Sequence, residues 1–215
     1  PAMTETYVRR LFDQYAARYD TALTEHLHYR GPAILRDAVE AAVRAAGQPM
    51  RFGAMLDLGC GTGLAGAAFR SFVDRLVGVD LSSAMIAQAA TKGLYDRLVT
   101  ADLSGFLAAE SADTGKYHLV IAADVFVYVN DLAPIVSAIA RVLAPDGLLA
   151  FTVETHSGGG PKLLPTLRFA YGESYLRATI ADAGLALLSL HEAVVRTENG
   201  APVRGLVLVA SSAER

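Results

Sequence analysis

The residues with the clearest chemical purpose form a glycine-rich turn. The apolar run 55–58 leads directly into Gly59, Gly61 and Gly63, and an alanine-rich stretch follows. Glycine adopts positive φ angles without strain, and it lacks the Cβ atom that would hold a ligand away from main-chain N–H groups. A strand, a glycine turn and a helix in this order are typical of a nucleotide cradle. Because Gly66 completes the general dinucleotide pattern, the glycines alone leave the kind of nucleotide open.

Acidic residues at the ends of predicted strands narrow that choice. Asp57 lies two residues before the turn, Asp80 stands at the carboxyl end of the predicted strand 73–79, and Asp102 follows the predicted strand 98–101. An acid at such a strand end can accept hydrogen bonds from both hydroxyls of a ribose. Three acids at three successive strand ends are hard to obtain by chance, so we expect a ligand at this edge. The alternative is a tight turn with a buried aspartate and no ligand.

Two sequence motifs resemble those of a known family. Leu-Asp-Leu-Gly-Cys-Gly-Thr-Gly at 56–63, followed by Gly-Val-Asp-Leu-Ser-x-x-Met at 78–85, resembles the class I S-adenosylmethionine (SAM) dependent methyltransferases. The segment 141–149 resembles the part that follows the cofactor site in this superfamily. The segments 11–20 and 29–32 are similar to a bacterial group of predicted methyltransferases in which tetratricopeptide repeats often precede the catalytic domain. This chain contains no repeat of its own.

The resemblance implies that SAM is the cofactor, that S-adenosylhomocysteine (SAH) is its product, and that no metal takes part. It implies that Asp80 binds the ribose, that Asp102 accepts the adenine amino group, and that Met85 packs on adenine or only within its helix. A carbonyl of residues 122–124 would bind the cofactor's amino group. The candidate cofactor-binding residues are Tyr15, Tyr19, Arg30, Asp57, Gly59, Cys60, Gly61, Thr62, Gly63, Asp80, Leu81, Met85, Ala101, Asp102, Leu103, Ala122, Ala123 and Asp124.

Helical periodicity precedes the glycine turn. Apolar residues recur every three or four positions over 7–27, and a second stripe begins at Gly31-Pro32 and ends at Gly47. We expect these helices to form a lid over the cofactor. Tyr15, Tyr19 and Arg30 are the side chains that could then donate to the methionyl carboxylate or to the substrate, with helix packing as the alternative role.

The order of the remaining elements predicts an α/β fold. Apolar runs alternate with helical stretches up to residue 183, and two alternating runs, 185–195 and 203–209, flank the turn at Asn199-Gly200. The resemblance implies a Rossmann-like, doubly wound sheet of seven strands in the order 3-2-1-4-5-7-6, with the last strand antiparallel. The hairpin signal supports that arrangement independently.

Composition limits the classes of function. The 215 residues are 53% hydrophobic and carry a net charge of -3, so we expect one domain over 1–215, with the lid at 1–47 and the core at 53–210. No basic stripe matches nucleic acid, and no apolar run reaches the roughly 18 residues of a membrane span. The single cysteine, Cys60, fits a reducing compartment. We expect a cytoplasmic protein, with the oligomeric state open and Pro1-Ala2 consistent with a fragment or a processed chain.

Methyl transfer is an in-line displacement that requires positioning of donor and acceptor, and little acid–base chemistry is obligatory. A general base, where one is used, must lie at the carboxyl ends of the strands. Glu154 and His156 satisfy that topology and are the candidate catalytic residues, while His26 and His28 stay open. We expect the glycine-rich loop 156–161 either to flex over the acceptor or to be a surface connection.

The acceptor side of the site is the least specified. Arg168 and Tyr171 could contact an acceptor. The segment 124–128 is not the Asp/Asn-Pro-Pro-Tyr motif of enzymes that methylate amino groups of DNA bases, so a small-molecule acceptor is favoured.

Two other functional classes are weighed against methyl transfer. A nicotinamide-dependent oxidoreductase of the short-chain type would need Tyr-x-x-x-Lys, and none of Lys92, Lys116 and Lys162 follows a tyrosine by four residues. A non-catalytic SAM-binding domain stays possible, because only turnover distinguishes binding from catalysis.

Overall fold

The computed structural model describes residues 3–16, 19, 29–110, 116–198 and 200–213. Helices and strands alternate along most of this length, as the sequence predicts. In chain order the elements are α1 Glu5–Tyr15, α2 Gly31–Ala45, β1 Phe52–Leu58, α3 Leu64–Phe69, β2 Val73–Asp80, α4 Ser83–Thr91, β3 Arg97–Thr100, α5 Leu103–Glu110, β4 Tyr117–Ala122, α6 Ala133–Val142, β5 Leu143–Thr155, β6 Pro161–Leu163, β7 Phe169–Tyr171, α7 Glu173–Asp182, β8 Leu185–Glu198 and β9 Ala201–Ser212.

The strands form one mixed sheet. Apart from two strands of three residues each, β6 and β7, the strands follow the order β3-β2-β1-β4-β5-β9-β8, in which β1 to β5 are parallel and β9 is antiparallel to both β5 and β8. With β8 and β9 counted as the sixth and seventh of these strands, the order matches the predicted one, and the predicted antiparallel strand is confirmed. The Rossmann-like class is therefore confirmed as well.

The predicted number of strands is too low by two. The short strands β6 and β7 pair with each other, and β7 pairs in parallel with Glu154 and Thr155 at the end of β5. Glu154 also pairs with Gly205 of β9, so β7 lies on the opposite edge of β5, beyond the end of β4. Each added strand has only three residues, too few to show a periodicity.

Successive side chains of the central strands point to opposite faces of the sheet and belong to two separate hydrophobic cores. Met55 of β1 belongs to the core under α2 and α3, whereas the next residue, Leu56, belongs to the core under α5, α6 and α7. A strand buried on both faces has to be nearly continuous in apolar residues, as β1 and β4 are. Polar side chains in these two strands lie near their ends, with His118 at the start of β4 and Asp57 close to the turn that follows β1.

Helix α1 packs loosely on the edge of the sheet that carries the carboxyl ends of the strands. None of its residues is buried, and Thr4 caps it by accepting a hydrogen bond from the Tyr7 N–H at 3.2 Å. It is fastened at Asp13, whose Oδ1 accepts a hydrogen bond from Ser82 Oγ at 2.6 Å. The predicted helical stripe over 7–27 is confirmed up to Tyr15, and most of its remainder lies outside the described residues.

Candidate cofactor site

The glycine turn joins β1 to α3 and has the backbone that its sequence predicts. Gly59, Gly61 and Gly63 have φ angles of 62°, 51° and 91°, all in the region that favours glycine. A Cβ atom on Gly59 would lie 2.5 Å from Val125 Cγ2, whereas one on Gly61 would meet nothing nearer than Tyr19 Cε1 at 3.8 Å. The backbone of Gly61 is therefore open on the side where Tyr19 stands.

Asp80 connects this turn to the next strand. Its Oδ2 accepts a hydrogen bond from the Gly61 N–H at 2.9 Å, and its Oδ1 accepts one from the Ser82 N–H at 2.8 Å. Burial raises the pKa of the Asp80 carboxyl, and these backbone bonds counteract the rise. Since a carboxylate offers about four acceptor positions, Asp80 keeps capacity for a further donor while its orientation stays fixed.

A cavity of about 440 Å³ opens in front of the turn, within the usual size of small-molecule sites. It is bounded by the carboxyl ends of β1 to β4, by helix α1, and by the segment between β4 and α6. Ten candidate cofactor residues line it, namely Tyr19, Gly59, Gly61, Asp80, Leu81, Met85, Asp102, Leu103, Ala123 and Asp124.

Asp102 stands at the predicted end of the third strand, directly before α5. Its Oδ1 accepts the Gly105 N–H at 2.7 Å and thereby satisfies one of the free donors in the first turn of that helix. Because the carboxyl group also borders the cavity, it presents an acceptor opposite the apolar side chains of Leu81 and Met85.

The other candidate cofactor residues do not line the cavity. They are Tyr15, Arg30, Asp57, Cys60, Thr62, Gly63, Ala101 and Ala122. Tyr15 is 49% exposed, and Arg30 is exposed while its N–H bonds the Val195 carbonyl at 2.8 Å. Asp57 and Cys60 are buried behind the turn, and burial raises the pKa of both groups. These side chains support the turn from behind.

Glu154 and His156 also lie away from the cavity. His156 Nδ1 accepts the Gly158 N–H at 3.0 Å, which leaves Nε2 as the donor to the Gly160 carbonyl, also at 3.0 Å. Glu154 is buried between the guanidinium groups of Arg168 and Arg196. Both residues lie at or after the carboxyl end of β5, as the topology predicts, but β7 pairs with that end of the strand and neither side chain borders the cavity. His26 and His28 lie outside the described residues.

The two residues expected at the acceptor have structural contacts instead. The Tyr171 hydroxyl donates to the backbone carbonyls of Phe126 and Val129 and so fixes the 3-10 turn Phe126–Tyr128. Arg168 Nε donates to Glu154 at 2.6 Å. Neither side chain borders the cavity.

A buried charged network holds Asp124 against the cavity. Arg196 is 3% exposed, and its Nη1 lies 2.5 Å from Asp124 Oδ2 while its Nε lies 2.7 Å from Glu198 Oε1. The same guanidinium contacts Glu154. Asp124 itself has a φ of 60°, unusual for a residue other than glycine, and its N–H donates to Thr152 Oγ1 at 2.9 Å. Arg196 carries no signal in the sequence except a cation in an alternating strand.

Three aromatic rings form one wall of the cavity. Phe12 meets the rings of Tyr19 and Tyr128 edge to face, with centroids 6.0 Å and 5.5 Å apart. Burial raises the pKa of Tyr128 to about 12 and that of Tyr19 further, so both hydroxyls stay protonated. The sequence predicts a role in the site for Tyr19 but not for Phe12 and Tyr128. These two residues lie among apolar residues, and packing explains their presence there equally well.

The described ranges contain neither a metal-binding cluster nor a membrane-spanning helix. No group of three or more histidine, cysteine or carboxylate side chains is placed to hold a metal ion. Within these same ranges, no helix combines the length and the apolar character that crossing a membrane requires.

The part of the chain that forms the cavity is similar to a known family. Residues 56–151 match the family model described as "Methyltransferase domain", and this segment runs from β1 through the glycine turn, Asp80 and Asp102 into β5. The match therefore covers the strand ends and turns that border the cavity. Among curated proteins, no sequence matches this chain significantly.

Solved structures with this fold cover the whole chain. Magnesium protoporphyrin IX methyltransferase from Synechocystis PCC 6803, with bound SAH, superposes with a TM-score of 0.71 at 19% identity over 97% of this chain and 99% of its own. For 1,6-didemethyltoxoflavin-N1-methyltransferase from Burkholderia thailandensis, the TM-score is 0.70 and the identity 18%, over 100% of this chain and 92% of its own. The (4+2)-cyclase SpnF superposes with a TM-score of 0.74 at 18% identity, over 100% of this chain and 98% of its own.

Proposed function

We propose that this chain transfers a methyl group from SAM to a small-molecule acceptor. The observation that carries the proposal is the junction of the open Gly61 backbone with the Asp80 carboxylate at the mouth of a 440 Å³ cavity. The neighbours with bound SAH and the matched methyltransferase domain support it.

The residues present fit the cofactor. A Cβ on Gly61 would protrude toward Tyr19, into the space that the amino-acid half of SAM requires, and only glycine leaves it open. Asp80 would accept hydrogen bonds from the ribose hydroxyls, and Asp102 would accept from the adenine amino group. Leu81 and Met85 would pack on the base.

When bound, SAM supplies an electrophilic methyl carbon on a positively charged sulfur. The chain's own contribution is to align the acceptor and to exclude water. Helix α1 places Val8 and Phe12 over the cavity, and Tyr19 and Tyr128 offer protonated hydroxyls that can orient a polar group. Because the side chains of Glu154 and His156 are engaged elsewhere, we propose that neither acts as a base in the chemical step.

The lining of the cavity also favours a class of acceptor. Carboxyl side chains line it, and no arginine, lysine or histidine of the described ranges does; the carboxyl residues are Glu5, Asp80, Asp102, Asp124 and Asp131. The rest of the wall is largely apolar and aromatic. We therefore propose a neutral or amine-bearing acceptor with an apolar body, since a carboxylate or a phosphate would meet only negative charge.

A second candidate is a SAM-binding protein that catalyses a different reaction or none. It is favoured by the likeness to the cyclase SpnF, which shares this fold over the whole chain, because one fold supports many functions. The two candidates agree on the cofactor and differ in whether the methyl group is transferred.

Calorimetric titration with SAM, SAH and NADH tests the first half of the proposal. We expect SAM and SAH to bind and NADH not to bind. Asp80→Ala should weaken SAM binding about 10- to 100-fold, because charge-assisted hydrogen bonds to the ribose are lost. Asp74→Ala is the matched control, since Asp74 lies on the same strand and is 57% exposed. Equal affinities in the two variants would contradict the assigned role of Asp80.

Transfer itself is tested with SAM carrying a labelled methyl group. Panels of amines, phenols and carboxylic acids with apolar bodies are screened, and label in an amine or a neutral acceptor is the expected result. SAM binding without transfer to any panel would favour the second candidate, and NADH binding would exclude both.

A further inference from the structure

Tyr95 lies behind the glycine turn, in the connection between α4 and β3. A Cβ atom on Gly66 would lie 2.5 Å from Tyr95 Cζ, one on Gly78 would lie 2.7 Å from Cε1, and one on Gly63 would lie 3.0 Å from Cε2. Cβ atoms in real proteins essentially never come within 3.0 Å of another heavy atom, so an added methyl group on Gly66 or Gly78 would force a neighbour to shift. Glycines on β2, on α3 and at the cap of α3 thus leave room for a single aromatic ring.

The hydroxyl of the same ring reaches the acid that precedes the turn. Tyr95 Oη donates to Asp57 Oδ2 at 2.6 Å, and Asp57 is 1% exposed. Asp57 also accepts the N–H of Gly66, which lies in the first turn of α3. Gly63 caps this helix and has no side chain to bond that donor. Asp57 therefore replaces the missing cap, and Tyr95 holds Asp57.

We propose that Tyr95 is a positioning residue for the cofactor: its ring and its hydroxyl fix the glycine turn in the shape that receives the amino-acid half of SAM. The inference rests on the proposed function for its ligand. In this proposal Gly66 and Gly78 lack a side chain because the ring of Tyr95 lies against them, whereas Gly59 and Gly61 border the cavity.

The charge of Asp57 gives this contact a measurable signature. Burial raises the pKa of Asp57 to about 7, the bonds from Tyr95 and Gly66 counteract the rise, and Asp80 adds to it. The other titratable groups that face Asp57 are Cys60 and Tyr29, each with a pKa raised chiefly by burial. Ionised Asp57 favours a cationic ligand on the far side of the turn. Affinity for SAM should therefore rise as the pH rises through about 7.

Tyr95→Phe removes the hydroxyl and keeps the ring. We expect the Kd for SAM, measured by calorimetry, to rise about tenfold at pH 7, because a buried carboxylate loses a donor. The midpoint of the pH dependence should move upward, since the lost bond had lowered the pKa of Asp57. With an acceptor in hand, KM for SAM should rise while kcat at saturating SAM changes less than about twofold.

Tyr117→Phe is the matched control. The Tyr117 hydroxyl donates to Glu110 Oε2 at the same 2.6 Å, in a buried position that does not border the cavity. Both variants should lower the midpoint of urea unfolding, and only Tyr95→Phe should weaken SAM binding or move its pH midpoint. Equal SAM affinity in the two variants would overturn the positioning role and leave the proposed function intact. Absence of SAM binding in the unmodified chain would overturn both.

The reason assigned to the glycines is tested by a second comparison. Gly78→Ala should destabilise the fold and weaken SAM binding, although Gly78 does not border the cavity. A Cβ atom on Gly78 would also lie 2.9 Å from Leu98 Cδ2. Adding Tyr95→Leu to Gly78→Ala should recover part of the urea midpoint, because the smaller side chain removes the two nearest contacts of the new methyl group. Strictly additive losses would contradict the claim that the ring is the main reason for glycine at position 78.

Discussion

Replacing Arg196 with methionine tests whether the buried network behind the cavity supports the fold. Arg196 is 3% exposed and contacts three carboxylates, those of Asp124, Glu154 and Glu198. Removing one partner of a buried ion pair costs about 3–5 kcal/mol, because the remaining charge stays buried without its partner. Since a domain of this kind has a free energy of unfolding of about 5–15 kcal/mol, the variant should lose about a fifth of its stability or more.

The loss should depend on pH in a defined direction. Burial raises the pKa of Asp124, and Arg196 counteracts the rise. Without Arg196 the folded-state pKa of this carboxyl rises further above its unfolded value. A group of this kind contributes stability at low pH that is lost as the pH rises through the folded-state pKa. The variant should therefore be less destabilised at pH 5 than at pH 8.

Urea unfolding followed by circular dichroism at both pH values measures the effect. Arg204→Met is the control, because Arg204 contacts a carboxylate of the same hairpin, that of Glu192, and is 68% exposed. We expect little change from this exposed pair. Adding Asp124→Asn to Arg196→Met should restore part of the loss, since asparagine is neutral and tolerates the positive φ. Equal unfolding curves for the two arginine variants at both pH values would refute the argument.

Two further substitutions address the turn and the loop. Gly59→Ala places a methyl group against Val125 at a φ of 62°, so we expect a loss of at least about 1–3 kcal/mol in urea unfolding, together with weaker SAM binding; unchanged binding would show that the turn adapts. His156→Ala should leave turnover within about twofold, because both ring nitrogens bond their own loop; a large fall in kcat with unchanged SAM affinity would restore His156 as a candidate base.

The elements that the sequence predicts well are those whose signal is local. The glycine turn, the Ser82 cap of α4 and the acids that end β2 and precede α5 each depend on a few consecutive residues, and the structure has them as expected. Nearly continuous runs of apolar residues likewise predict which strands are buried on both faces. The strand order came from the family resemblance, and the hairpin signal agreed with it.

The contacts that the sequence does not predict join residues far apart in the chain. Tyr95 meets Asp57 across 38 positions and Arg196 meets Asp124 across 72. Neither arginine nor tyrosine shows a local pattern that names its partner. Glu154 lies at the carboxyl end of a central strand, and this position predicts a place beside the ligand. The three-residue strand β7, which no periodicity reveals, pairs with the end of β5, and Glu154 does not border the cavity.

The glycines in and around the turn are therefore required for different reasons, because each of them contacts a different part of the molecule. Gly59 has no room for a methyl group because Val125 lies against it, and Gly61 is open toward the cavity. Gly66 and Gly78 face away from the cavity, toward the ring of Tyr95. A protein with the same glycine spacing and a smaller side chain at position 95 would have to support its turn in another way. Tolerance of alanine at positions 66 and 78 should therefore depend on residue 95, whereas alanine at position 59 should be excluded by Val125 whatever residue stands at 95.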